Sequence, residues 1–226
     1  MDKNETAFQR EFLNHMANEY PDRVFVPKLD LKYDIGKYTN RKSFGMPDTI
    51  LDVVEFDERK EFHLWELKLI TSNEFATGKF YGQMMLYNFL FSTEPWNELA
   101  GRFAFAGQRK GFVGDIGKIL SYLAGFGTGE VAKESDKHAS FSTWNLCICG
   151  GSGYELAAEF NPIAWSLWII GEEYFHTKMP SIKFWHFFET KQEFALMEME
   201  NLSVDEPQSL HPDALAAFLR IEKDFG

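Results

Sequence analysis

Cysteine is almost missing from this chain: Cys147 and Cys149 are the two among 226 residues. They stand two apart in an apolar run that reads as a strand, so both thiols share a face and a disulfide between them is geometrically unfavourable. A disulfide framework is therefore excluded. A zinc site is excluded on the same grounds, because the six histidines are scattered without metal-ligand spacing. Basic excess is also missing. Lys and Arg number 23 against 34 Asp and Glu, a net charge of -11, which argues against a free-standing nucleic-acid binder with a uniformly basic surface. A local basic strip, or carboxylates neutralised by divalent cations, stays compatible with that balance. The first five residues form no basic and apolar leader, and the longest apolar stretch, near Ile163 to Ile170, is too short to span a bilayer. The expectation is a soluble, cytoplasmic protein with no membrane partner.

What the chain does have is core-forming material: 45% apolar residues and 16% aromatics, enough to rule out a disordered tail. Phe8, Phe12, Leu13 and Met16 recur at helical spacing between Glu5 and Tyr20, with Pro21 ending the segment. Val24 to Leu31 reads as a strand, followed by a polar loop through Ser43. Thr49 to Phe56 and Phe62 to Leu69 are β-rich runs joined by Asp57-Glu58-Arg59-Lys60-Glu61, a charged turn of hairpin length. Ala76 to Phe91 reads as a buried helix closed by Pro95. Strands are expected at Phe141 to Cys149, Ile182 to Phe188 and Phe194 to Met199, and helices over Tyr154 to Tyr174 and Pro212 to Phe225. Residues 96–138 are read as a mobile insertion decorating the rest, with one helix at Ile116 to Ala124. No internal repeat is present. The order of elements predicts one domain over residues 1–226 of mixed α/β or α+β class, a central mixed sheet flanked by helices.

Four acidic-x-Lys tripeptides occur. Those at Asp30, Glu58 and Glu189 lie in or near turns, where charges stay hydrated. Glu66-Leu67-Lys68 differs, because it ends the apolar strand that contains Phe62, Leu64 and Trp65. Residues two apart on a strand share a face, so Glu66 and Lys68 point the same way. With the hairpin centred near Arg59, Asp52 falls opposite Glu66. Two carboxylates facing each other across neighbouring strands repel, and a cation relieves them. Mg²⁺ suits hard oxygen ligands and keeps waters that can attack a phosphodiester, while Lys68 would orient such a water or meet the developing charge.

Pro47-Asp48, Glu66-Leu67-Lys68 and Gln83 in the following helix resemble the motif of the PD-(D/E)XK nuclease superfamily, and the order of elements resembles its core over about residues 5–91 and 141–149. The resemblance implies a restriction-endonuclease-like fold and a nuclease acting on nucleic acid, with DNA the expected partner. It further implies Mg²⁺ or Mn²⁺ held by Asp48 or Asp52 with Glu66 and Leu67, Lys68 assisting the hydrolytic water, and Gln83 in support. Asp48 follows a proline as in the family's motif, whereas Asp52 has the better cross-strand position; both have the same strand parity. Glu5 or Glu11 would match the extra acidic residue many members carry in the first helix. Members also commonly pair up, so a homodimer or a partner protein is compatible.

Plainer readings stand beside these. Glu66 and Lys68 could form a surface ion pair of small energy, Asp48 could serve its turn, and Gln83 could simply satisfy a crowded helix. Tyr87, one turn beyond Gln83, and the aromatics from Trp165 to Phe188 read as core. A glycine loop at Gly150 to Gly153 offers N–H groups to an anion without a full dinucleotide fingerprint. A non-catalytic module that keeps a nuclease fold within a larger assembly is the alternative function.

Overall fold

The structure, a computed structural model, describes residues 5–31, 49–69, 79–109, 111–125, 139–149, 181–188 and 193–197. The elements are α1 (Glu5–Glu19), β1 (Val24–Leu31), β2 (Thr49–Phe56), β3 (Phe62–Leu69), α2 (Lys79–Thr93), α3 (Trp96–Gly107), α4 (Ile116–Gly125), β4 (Phe141–Cys149), β5 (Ser181–Phe188) and β6 (Glu193–Met197). The strands follow chain order, β1-β2-β3-β4-β5-β6, in a mixed sheet. The class is α+β, as expected. Among the described residues no helix is long and apolar enough to cross a membrane.

Two compact units separate. The first comprises Thr6–Trp65 and Leu86–Ser142. Its centre is the antiparallel run β1-β2-β3, with Val54 opposite Leu64 and Phe56 opposite Phe62. The β2–β3 turn is closed by its own side chain: Asp57 Oδ1 accepts the N–H groups of Arg59 and Glu61, both at 2.9 Å. Lys60, with φ 65°, completes the reversal.

Alternation gives the hairpin two covered faces. On one, Trp65 meets Phe12 of α1 with ring centroids 4.9 Å apart. On the other, Phe62 gathers Phe56, Phe91 of α2 and Phe103 of α3 within 5.6 Å. Burying such rings contributes about 1.5 to 3 kcal/mol each. The helices appear where this face must be covered. Pro95 illustrates the junction: it closes off α2 and serves as N-cap of α3 with ψ 144°, since the residue's fixed φ suits a helix start but not an interior.

Of residues 96–138, the described parts are packed: Leu99 and Phe103 of α3 and Ile119 of α4 have no exposed surface, and α3 packs on β1. Residues 126–138 of the expected insertion lie outside the described residues. Between the helices, Val113 exchanges two backbone hydrogen bonds with Phe25, at 2.8 and 3.0 Å, covering part of β1's outer edge. Gly114 makes that approach possible. Its φ is 102°, and a Cβ there would stand 2.6 Å from the Arg23 carbonyl oxygen.

The second unit comprises Met1–Glu5, Glu66–Met85 and Thr143–Gly226. Within it β5 runs parallel to β4, Leu146 opposite Phe184, and β6 returns antiparallel to β5. Asn145, buried in β4, accepts from Trp185 Nε1 at 3.0 Å and donates to Thr143 Oγ1 at 3.2 Å. Cys147 and Cys149 are free and buried, and burial, with Cys149 next, pushes the Cys147 thiol well above 9.0. The helices expected over 154–174 and 212–225 lie outside the described residues, as does the glycine loop at 150–153.

Candidate functional site

The end of β3 holds the pair singled out by sequence. Glu66 and Lys68 fall on the same face of the strand as Phe62 and Leu64, and both are buried, at 1% and 4% exposure. Lys68 Nζ lies 2.8 Å from Glu66 Oε1. A hydrated surface pair is thereby ruled out. Two charges taken out of water cost several kcal/mol each, and a direct contact returns part of that. Glu5, at the first turn of α1, brings its Oε1 to 3.9 Å from the same ammonium. Glu11 stands six residues further along the helix, about 9 Å up the axis and on a different face. Between the two helix-one candidates, Glu5 is the one brought to Lys68.

Leu67 is buried at 1% exposure and, by alternation, projects to the opposite face from its neighbours. Its side chain carries no ligand atom, so a part in metal binding rests on its backbone carbonyl. In α2, Gln83, Tyr87 and Leu90 follow at i, i+4 and i+7 and share one helix face. Tyr87 and Leu90 are buried, as a core reading of Tyr87 expects. Gln83 Oε1 is buried and accepts no hydrogen bond among the described residues.

Asp52 belongs to β2, where alternation sets it on the face of Val54 and Phe56. The backbone around it is irregular. The β1–β2 ladder pairs Pro27 with Val53 and Leu29 with Leu51 but passes over Lys28 and Asp52. Pro27 has no N–H to give, and Lys28 adopts φ 53°. The Asp52 carbonyl instead accepts from Gln9 Nε2 of α1 at 2.8 Å. Asp48 lies outside the described residues. No family model, curated protein or solved structure matches this chain.

Two charged groupings escape a motif search. Glu55 is 2% exposed in the middle of β2; its Oε1 pairs with Arg23 Nη1 at 2.6 Å and its Oε2 accepts from Trp65 Nε1 at 2.6 Å. Burial alone would depress the Arg23 guanidinium, but Glu55 and Glu58 outweigh it and hold the group above its usual range. A lone carboxylate inside an apolar strand was the available signal. The second grouping is Asp57, Glu61 and His63, whose ligand-type atoms lie within 4.8 Å of one another. The hairpin turn accounts for it: Asp57 Oδ2 sits 2.9 Å from His63 Nε2 while Oδ1 serves the turn. Burial pushes the Asp57 carboxyl up, yet the Glu61 N–H, His63 and the Arg59 N–H together hold it below 3.8.

Proposed function

We propose that the chain is a Mg²⁺- or Mn²⁺-dependent nuclease of restriction-endonuclease-like fold that hydrolyses phosphodiester bonds, with DNA as substrate. The buried Glu66–Lys68 pair carries this reading. An apolar strand has no structural need for two ions at its buried end, and cores more often replace such pairs by packed apolar side chains without loss. Ionisable groups taken out of water gather where chemistry is done.

Hard oxygen donors suit a divalent cation: Glu66 offers a carboxylate, Glu5 a second, and Gln83 a buried amide oxygen that lacks a donor among the described residues; the motif resemblance adds Asp52 or Asp48 as the further carboxylate. Bound there, Mg²⁺ or Mn²⁺ supplies water activation and charge neutralisation at the phosphodiester. Lys68 presents a fixed N–H donor to the attacking water or to the charge building on the phosphorane. Gln83 offers its amide to the same water.

In a labelled-DNA assay with Mn²⁺ the wild type is expected to cut and Lys68→Ala to lose at least about a hundredfold in rate. Equal cutting by the variant refutes the mechanism. A non-catalytic module of the same fold is the second reading. The net charge of -11 favours it, and it predicts no response of the wild type to Mn²⁺.

A further inference from the structure

We propose that the groove between β1 and α3 binds single-stranded nucleic acid, with Lys28 holding a phosphate and the Phe105–Arg109 stack holding an unstacked base. The choice of nucleic acid as the polyanion rests on the nuclease reading. The groove itself rests on independent observations within the first unit.

The cavity measures about 550 Å³ and is lined by Lys28, Gly101, Phe105 and Arg109 among others. Two of these break local rules of stability. Lys28 is a non-glycine residue at φ 53° inside a strand, a left-handed conformation that costs a side chain of L configuration about 1 kcal/mol or more. The comparable strain at Lys60 is explained by its turn; Lys28 has no turn to serve. Gly101 occupies the interior of α3, where glycine is about 1 kcal/mol worse than alanine, although a Cβ there would meet nothing within 4 Å. Packing therefore does not require the glycine. Both exceptions line the same cavity, and unforced local exceptions mark functional surfaces.

The chemistry of the lining matches a nucleic-acid strand. Lys28 is exposed and makes no ion pair among the described residues. Phe105 is 53% exposed, an unusual position for a large aromatic ring. Arg109 lies over it, its guanidinium carbon 4.6 Å from the ring centroid, and Asp30 fixes that guanidinium by a 2.8 Å contact. A ring held flat beside a cation is a stacking platform for a base. Along this groove Arg109 is paired with Asp30 and Arg102 with Glu94 at 2.7 Å, which leaves Lys28 as the lining cation that makes no ion pair among the described residues. The missing side chain at position 101 leaves the floor open to a backbone.

The test is anisotropy of a labelled single-stranded oligonucleotide in EDTA, so that binding is read without cleavage. Lys28→Gly is expected to melt no lower than wild type, to weaken binding and to reduce the slope of log affinity against log salt by about 0.7. Phe105→Ala should cost about tenfold in affinity. Gly101→Leu, whose Cβ would meet nothing within 4 Å, adds bulk at that position and should do likewise. Wild-type affinity in Lys28→Gly and Gly101→Leu overturns the inference. If the wild type still cuts the oligonucleotide in Mn²⁺, the groove assignment alone has failed; if the wild type neither binds nor cuts, the nuclease reading has failed with it.

Discussion

Single residues decide how charge survives inside this protein. Glu55 and Asp57 have each oxygen engaged by a named donor, which is what a buried carboxylate requires to remain ionised. For Asp57 the consequence can be measured. Its carboxyl is depressed in the folded state, so its contribution to stability is complete above about 3.8 and disappears as pH falls through the lower folded value. Thermal unfolding of wild type against Asp57→Asn should show a gap at neutral pH that narrows below pH 4. A gap that stays constant down to pH 2 contradicts the assignment. At this scale the sequence was informative where a charge interrupted an apolar run, as at Glu66 and Lys68. It also marked Glu55 as a charge inside an apolar run, but not its partners, because nothing local shows that Arg23 and Trp65 will converge on it from 32 and 10 residues away.

Elements were legible wherever pattern and punctuation agreed. The bounds of β1, β2, β3 and β4 coincide with the apolar runs, and the hairpin register follows from turn length, since a five-residue turn centred on Arg59 sets Val53 opposite Trp65. The segment Trp96–Gly107 was not legible as a packed helix. Its two glycines and Arg102 mask a stripe at Leu99, Phe103 and Ala106 that is visible once β1 is known to need cover. The 111–114 stretch, read as part of that insertion, places Val113 on the sheet's edge. Gly114→Ala tests that role directly. With φ 102° and the Arg23 carbonyl 2.6 Å from the new methyl, the substitution should lower unfolding free energy by more than about 1 kcal/mol, measured by denaturant titration. A change near zero would mean that the edge pairing at Phe25 contributes nothing.

At the scale of the whole molecule, an acidic chain with a net charge of -11 hosts a proposed phosphodiesterase, with Lys68 buried beside Glu66 and Lys28 in the groove lined by Arg109. The class of fold followed from the alternation of helical and strand periods. The packing of Lys68 on Glu66, and the approach of Glu5 from the first turn of α1, did not, because periodicity does not encode which helix end reaches a strand's end. The central claim is that Glu66 helps hold a divalent cation. Calorimetric titration of Mn²⁺ into wild type, Glu66→Gln and His63→Ala tests it most directly. The account predicts a saturable heat in the wild type, retained in His63→Ala and lost in Glu66→Gln. No heat in the wild type, or a heat lost in His63→Ala and kept in Glu66→Gln, would contradict it and, in the latter case, move the ion to the hairpin turn.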